Sequence, residues 1–377
     1  MAEISGSTDS RFQSLVDVIE QQLDNGYDLG SSLAVAVDGQ LVCDVWGGYV
    51  DEARSEPWQA DTITNVWSTT KTMTALSALL LIDRGELDPH EKVATYWPEF
   101  GAAGKGDIEV RHIMSHTSGG SAWAQPVTVD DILDDDKATA MLAEQEPWWE
   151  PGTASGYHAL NQGHLVGEVI RRIDGRGLKQ FFAEEIAGPL DADFTIGSPV
   201  ENHHRISNVI PPPPLPIPED IDPESVAIKT FTGPAPEADI AHTAAWRAAT
   251  IGAANGHGNA RSVAKIQAVV SNGGSSNGVS LLSADTLDRI FEEQSNGIDL
   301  VLGLPLRFGL GFGLSAPDNP MGITSGRICY WGGWGGSIVV NDLDNRLTMT
   351  YMMNRMQAGL VGNDTSMALV STLGTLL

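Results

Sequence analysis

The chain has 377 residues, and its 22 Lys and Arg against 49 Asp and Glu give a formal net charge of −27. Phosphate backbones and anionic lipid surfaces repel so acidic a chain, and no cluster of basic residues interrupts it. The sequence therefore predicts neither a nucleic-acid partner nor a membrane partner. Hydrophobic residues make up 42% of the chain, which is enough for a large packed core in one large domain or two interlocked ones.

Cysteine use and the N-terminal sequence bear on the compartment. Cys43 and Cys329 are far apart in the sequence and lie in apolar runs, so we expect buried, reduced thiols rather than a disulfide framework. Residues 1–10 are small and polar, and no stretch of about 18 apolar residues follows them. These features predict a cytoplasmic protein.

The first predicted elements are a helix, a hairpin and a second helix. An amphipathic helix ending near Gly26 is predicted by apolar residues at helical spacing, namely Phe12, Leu15, Val16, Ile19 and Leu23. Asp38-Gly39 predicts a tight turn between strands at 33–37 and 41–46, because this dipeptide adopts positive φ readily. Residues 69–84 are apolar nearly all round, which predicts a buried helix that ends at Gly85.

The middle of the chain and its last third predict different secondary structures. Residues 86–200 predict helices and loops, and the run PPPPLPIP at 211–218 must be extended. Strands are predicted again at 307–314, 328–331, 337–341 and 346–353, with a last helix from about Asp364. We therefore expect an α+β fold in which an antiparallel sheet, flanked by helices, is built from both chain ends. Residues 1–95 and 246–377 would form this sheet domain, and 96–245 a mainly helical insert with a Pro-rich loop at 198–245.

Three places in the sequence have the spacing of a serine nucleophile. The G-x-S-x-G match at 274–278 follows a helical run and lies in the flexible stretch NGGSSNG, so it lacks the strand-to-helix context of a nucleophile elbow. Ser262 and Lys265 form an S-x-x-K pair before an amphipathic helix, where an N-cap hydroxyl is expected. Ser68 and Lys71 form a second S-x-x-K pair, and the helix that it opens is apolar on all sides.

The setting of Ser68 and Lys71 suits catalysis. Residues three apart on a helix share a face, so the lysine can reach the serine. Burial disfavours the ammonium form, which makes Lys71 a plausible base. The helix N-terminus also offers free N–H groups to a developing oxyanion.

Several motifs in order along the chain carry a family resemblance. They are VWSTTKTMTALSALLLIDRGELDPHEKVATYWPEF around Ser68, IEVRHIMSHTSGG at 108–120, Glu150-Pro151-Gly152 before Tyr157, and Trp331-Gly332-Gly333. Together they resemble the serine β-lactamase and penicillin-binding protein superfamily, in particular its class C-like branch that includes the family VIII carboxylesterases. The resemblance implies a β-lactamase/transpeptidase-like fold and a serine hydrolase. The sequence contains neither a Walker loop nor a Rossmann fingerprint, so no cofactor is expected.

The resemblance also implies roles for residues of this chain. Ser68 would be the nucleophile, with Lys71 and Tyr157 moving its proton. The substrate would bind along a strand that carries Trp331, Gly332, Gly333 and Trp334. The backbone N–H groups of Ser68 and Trp334 would hold the oxyanion.

Two departures from the β-lactamase pattern bear on the substrate. Ala159 stands where β-lactamases have an asparagine that holds the antibiotic, although Asn161 or Gln162 could substitute in part. Trp331 replaces the cation that pairs with the antibiotic carboxylate, and losing such a charge-assisted hydrogen bond costs about 1.5–3 kcal/mol. The sequence thus predicts a serine carboxylesterase for neutral, small-molecule esters. An acyltransferase, a hydrolase of β-lactams or D-amino-acid peptides, and a catalytically silent binding protein are the alternatives.

No metal is expected. His112 and His116 have a zinc-compatible spacing, but no glutamate follows His112 as it would in a zincin. The acidic residues at 130–136 lack the spacing and the glycine of an EF-hand. The oligomeric state is not specified by the sequence.

Overall fold

The computed structural model describes residues 3–214, 222–234 and 236–377. Within these residues, one antiparallel sheet has nine strands in the order β1-β3-β2-β14-β13-β12-β11-β10-β9. Its strands are β1 (Ile4–Thr8), β2 (Gly30–Val37), β3 (Gln40–Gly48), β9 (Ser295–Ile298), β10 (Pro305–Phe308), β11 (Gly313–Leu314), β12 (Ile328–Gly332), β13 (Ile338–Asp342) and β14 (Leu347–Met353). Because β14 pairs with β2, the two chain ends meet at the centre of the sheet. The α+β class with a sheet built from both chain ends is thereby confirmed.

Two smaller sheets and the helices complete the described fold. The remaining strands are β4 (Thr64–Asn65), β5 (Thr195–Ile196), β6 (Gly256–Gly258), β7 (Ser275–Ser276) and β8 (Val279–Ser280). The helices are α1 (Gln13–Asp24), α2 (Thr70–Asp83), α3 (Val93–Tyr96), α4 (Val110–Met114), α5 (Val129–Leu133), α6 (Asp135–Glu144), α7 (Asn161–Asp174), α8 (Leu178–Phe182), α9 (Val226–Phe231), α10 (Ala244–Ala248), α11 (Ala260–Ser271), α12 (Ala284–Ile290) and α13 (Asp364–Leu376).

Helix α2 is the centre of the fold, as its all-round apolar sequence predicted. Every residue from Thr70 to Ile82 is buried. The helix packs against α7 and α8, while α11 covers β2 and β14 of the large sheet. A helix enclosed on all sides holds its first turn rigidly; Lys71 lies in that turn, and Ser68 lies two residues before the helix begins.

Several predicted elements differ from those observed. The strand predicted at 307–314 is two short strands, β10 and β11, because the chain turns back at Gly311, whose φ is +82°. Strand β1 was not predicted at the polar N-terminus, and helix α1 begins only at Gln13. By contrast, Asp38 and Gly39 have φ values of +50° and +73°, which confirms the tight hairpin turn.

Part of the Pro-rich run lies outside the described residues, which exclude 215–221. The division into a sheet domain, 1–95 and 246–377, and an insert, 96–245, stays a prediction. In the described residues, no helix has the length and apolar character needed to cross a membrane.

Candidate active site

Ser68 and Lys71 meet at the start of α2. The side-chain nitrogen of Lys71, Nζ, lies 3.0 Å from Ser68 Oγ. Lys71 is 1% exposed, whereas Ser68 is partly exposed and therefore open to a ligand. The geometry thus pairs a hydroxyl with a buried amine, as the S-x-x-K spacing predicted.

The other contacts of Lys71 can be made by a neutral amine. Nζ donates to the carbonyl oxygens of Ala159, at 2.8 Å, and Ala253, at 3.0 Å. A neutral amine has two N–H groups and one lone pair, so these carbonyls use both N–H groups and leave the lone pair for the Ser68 hydroxyl. Burial lowers the pKa of Lys71 well below its ordinary value of 10.5. The arrangement can therefore take a proton from Ser68.

Trp67, just before Ser68, has a strained backbone. Its φ is +49°, in the left-handed region that a bulky residue rarely adopts and that costs about 1–3 kcal/mol. The Trp67 carbonyl accepts hydrogen bonds from Thr70 Oγ1 at 2.5 Å and from Thr70 N at 2.9 Å. The first turn of α2 thus holds this conformation, which sets the direction of the Ser68 backbone.

Tyr157 lies against both groups. The centre of its ring is 4.7 Å from Lys71 Nζ, and its hydroxyl accepts a hydrogen bond from Trp331 Nε1 at 3.2 Å. Burial raises the pKa of the Tyr157 phenol above its ordinary value of 10.0, while hydrogen bonds with Ser68 and Trp331 act in the opposite direction. The phenol therefore stays protonated at neutral pH and can donate a proton beside Ser68.

Strand β12 approaches the nucleophile closely at its end. A Cβ added at Gly333 would lie 2.3 Å from the Val66 carbonyl oxygen, 2.3 Å from Ser337 Oγ and 3.2 Å from Ser68 N. Ser337 Oγ also donates to the Val66 carbonyl at 2.9 Å, which ties the strand to the segment before α2. Glycine is thus the residue that allows this approach.

The two predicted oxyanion donors have no competing backbone acceptor. In the described parts of the chain, neither Ser68 N–H nor Trp334 N–H donates to a carbonyl oxygen. The Trp334 ring packs edge-on against Trp67, with ring centres 5.1 Å apart. Both donors can therefore bind a ligand oxygen.

An aromatic wall that sequence reasoning missed stands behind Tyr157. His116 has its ring centre 4.9 Å from that of Tyr157 and 5.0 Å from that of Phe308, and Phe308 packs on Trp331 at 5.2 Å. Burial, with smaller contributions from the charges of His158 and Lys71, lowers the pKa of His116 well below its ordinary value of 6.5. His116 is therefore a neutral wall residue. The HTSG motif had indicated its position but not this role.

The histidine pair that was weighed as a zinc site is engaged in the fold. His112 Nδ1 accepts from Glu109 N at 3.1 Å, and His116 Nδ1 accepts from His158 N at 3.1 Å. Across residues 3–214, 222–234 and 236–377, no three His, Cys, Asp or Glu side chains are grouped as metal ligands would be.

The rival serines lie in ordinary structural positions. Ser262 was expected to be an N-cap, but Asn259 caps α11 and Ser262 completes a capping box three residues later. The G-x-S-x-G match forms the hairpin of β7 and β8, in which Asn277 and Gly278 have positive φ. Neither serine is hydrogen-bonded to a lysine in the described structure.

The residues weighed as replacements for the missing asparagine point elsewhere. Ala159 contributes its carbonyl oxygen to Lys71, as described above. The Asn161 amide donates to the Gly120 carbonyl at 2.9 Å, and both Asn161 and Gln162 are buried in the first turn of α7. The structure gives neither amide a contact with Ser68.

Comparison with known proteins agrees with this arrangement. The family model of the beta-lactamases matches residues 15–372. The "Esterase/beta-lactamase LipL" of Mycobacterium tuberculosis is 33% identical over 379 residues, covering 96% of this chain and 85% of the relative. The crystal structure of a family VIII carboxylesterase superposes with a TM-score of 0.93 at 36% identity, and that of a penicillin-binding protein homologue from Caulobacter crescentus with 0.92 at 33%. Both cover 100% of each chain.

Proposed function

The chain belongs to the beta-lactamase family, and from that membership we propose that it hydrolyses neutral carboxylic esters through an acyl-enzyme on Ser68. The observation that carries the proposal is the contact of 3.0 Å between Lys71 Nζ and Ser68 Oγ, beside two carbonyls that can accept both N–H groups of a neutral amine. An esterase needs an activated hydroxyl and an oxyanion site, and both requirements have candidate groups here.

Acylation begins with the neutral amine of Lys71. Ser68 Oγ attacks the ester carbonyl carbon while the Lys71 lone pair accepts the hydroxyl proton. The negative charge that develops on the carbonyl oxygen is held by the N–H groups of Ser68 and Trp334. The tetrahedral intermediate then collapses and expels the alkoxide.

Tyr157 supplies the proton for the leaving alcohol. Its hydroxyl oxygen already accepts from Trp331 Nε1, so the phenolic proton is free to point toward Ser68 and the leaving oxygen. After it donates, Tyr157 regains a proton directly from the Lys71 ammonium, which lies beside its ring. Water then attacks the acyl-enzyme by the reverse proton route and releases the acid.

The preference for neutral esters rests on Trp331. A β-lactam carboxylate bound at this strand would meet an indole instead of a cation and lose about 1.5–3 kcal/mol, or one to two decades of affinity. Phe308 packs on Trp331 at 5.2 Å and likewise supplies no cation for a carboxylate. Relatives whose names include an esterase and a family VIII carboxylesterase support the same class of substrate.

The nucleophile is tested by Ser68→Ala, with Ser262→Ala as the matched control. Hydrolysis of a p-nitrophenyl ester should be lost in the first variant and unchanged in the second. Treatment with an organophosphonate followed by peptide mass spectrometry should find the adduct on Ser68. Normal turnover by Ser68→Ala, or an adduct on another serine, would refute the assignment.

The substrate class is tested on the intact enzyme. Turnover of nitrocefin with an efficiency equal to that of simple esters would overturn the argument from Trp331. An added alcohol that diverts most of the product to a new ester would favour an acyltransferase over a hydrolase. For the compartment, we propose the cytoplasm, and the two buried, free cysteines support a reducing environment.

A further inference from the structure

Asp299 is a buried carboxylate in the loop that joins β9 to β10. It is 1% exposed, and a single oxygen, Oδ1, accepts three backbone hydrogen bonds: from Tyr157 N at 3.0 Å, Val301 N at 2.9 Å and Leu302 N at 2.9 Å. Two of these close the loop on itself, whereas the bond to Tyr157 spans 142 residues of sequence. The carboxylate therefore joins the Tyr157 segment to the large sheet.

The neighbouring contacts define what Asp299 holds. Leu300 N donates to the Ser155 carbonyl at 2.8 Å, so the loop binds the Tyr157 segment at two points. On the other side, Gly156 N donates to the His116 carbonyl at 2.9 Å. The Tyr157 segment is thus held between the large sheet and the turn at His116. Of these contacts, the one with Asp299 is made by Tyr157 itself.

We propose that Asp299 is a positioning residue of the esterase reaction, which sets the Tyr157 backbone so that the phenol meets Ser68. The proposal rests on the role given to Tyr157 under the proposed function. Three backbone hydrogen bonds converge on one oxygen, so together they hold the loop and the Tyr157 backbone in one position. Displacing a reacting group by about 1 Å can lower the rate by about 100-fold.

A second feature of Asp299 allows the position of its acceptor oxygen to be tested separately from its carboxyl group. The other oxygen, Oδ2, is buried and has no hydrogen-bond partner among the described residues. Asn at this position therefore keeps the acceptor at Oδ1 and places its amide where no bond is lost. Glu keeps the carboxyl group but moves the acceptor by one methylene group. A positioning role predicts that Asp299→Asn is the mild change and Asp299→Glu the severe one.

The experiment measures kcat, KM and the thermal midpoint of Asp299→Asn, Asp299→Glu and Asp299→Ala with a p-nitrophenyl ester. The Glu and Ala variants should lose about 10- to 100-fold in kcat with little change in KM, because Tyr157 acts on the reacting atoms. The Asn variant should stay within about threefold of the wild-type kcat, since the acceptor is kept. If the Ala variant does not fold, the contrast between Asn and Glu still decides.

Asp342→Ala is the matched structural control. Asp342 is also buried and caps a turn, through Asn345 N at 3.0 Å and Asn345 Nδ2 at 2.8 Å. Asp342 is the last residue of β13, whereas Ile338, the first residue, pairs with Gly332 near the site. The two ends of the strand are about 13 Å apart. The Asp342→Ala substitution should lower the thermal midpoint without lowering kcat. An equal fall in kcat for Asp342→Ala would overturn the proposal, as would wild-type kcat in a folded Asp299→Glu.

The double variant Tyr157→Phe/Asp299→Glu tests whether Asp299 acts through the phenol. Its kcat should equal that of Tyr157→Phe alone, because the displaced group is already gone. If the fold-losses in kcat of the two single variants multiply in the double variant, Asp299 acts by another route, which contradicts the proposal. Wild-type kcat in Tyr157→Phe would instead refute the proton role of Tyr157 itself, so the two failures are distinguishable.

Discussion

Gly333→Ala tests the close approach of strand β12 to the nucleophile. The new Cβ would lie 2.3 Å from both the Val66 carbonyl oxygen and Ser337 Oγ. Ordinary contact begins near 3.4 Å, so the strand or the segment before α2 must move by about 1 Å. Such overpacking costs about 1–3 kcal/mol of stability, and a shift of about 1 Å between oxyanion donors lowers kcat by about 100-fold.

The assay compares kcat, KM and the thermal midpoint of Gly333→Ala with those of Gly374→Ala. Gly374 lies in α13 with no atom within 4 Å of an added Cβ, so its substitution should gain about 0.5–1 kcal/mol and leave kcat unchanged. The reasoning is refuted if Gly333→Ala keeps wild-type kcat and a wild-type midpoint, because the strand would then have room that the structure denies.

Three further predictions concern protons and hydrogen bonds. Lys71→Met should abolish acylation of Ser68 by an organophosphonate. In the wild-type enzyme, kcat/KM should fall as the pH decreases through the lowered pKa of Lys71, since only the neutral amine accepts the proton. A kcat/KM that reaches its plateau only above pH 10.5 would contradict this. Trp331→Phe should lower kcat by up to about tenfold, because Tyr157 loses a hydrogen bond worth about 0.5–1.5 kcal/mol, while nitrocefin turnover stays low. Burial raises the pKa of Asp28 from 3.8 to about 6, so the folded state prefers the protonated form, and the free energy of unfolding should fall by about 2 kcal/mol as the pH rises from 4 to 6. Urea titrations should find this slope in the wild type and a flatter one in Asp28→Asn.

The parts of the fold that sequence predicted are those whose signal is local. Helix α2 is apolar on every side, and enclosure is the arrangement that hides such a helix. Asp38-Gly39 has the positive φ values that its composition favours. Strand β9, with the sequence SNGI, has no alternating pattern, and it forms only because β10 pairs with it. Its existence depends on a distant partner, which a local pattern does not reveal.

The same distinction applies to the candidate site. Ser68 and Ser262 share the S-x-x-K spacing, and what separates them is burial of the lysine: Lys71 is enclosed, whereas Lys265 bonds the Asp191 carbonyl at the surface. Apolar residues around 68–84 made that difference readable from sequence. Asp299 had no such signal, because its contact with Tyr157 joins two segments that fold into proximity from far apart in the chain.

The net charge of −27 and the burial of Lys71 shift the pKa of that lysine in opposite directions, and the structure indicates which influence is larger. A negative protein stabilises an ammonium group and so raises its pKa, but at physiological salt this influence is screened over about 8 Å. Lys71 is buried, which lowers its pKa, and no carboxylate is hydrogen-bonded to it in the described structure. Desolvation therefore outweighs the distant surface charge, and added salt should change the pH dependence of kcat/KM little. The acidic surface repels anionic ligands, whereas the buried amine of Lys71 activates Ser68 toward the ligands that bind.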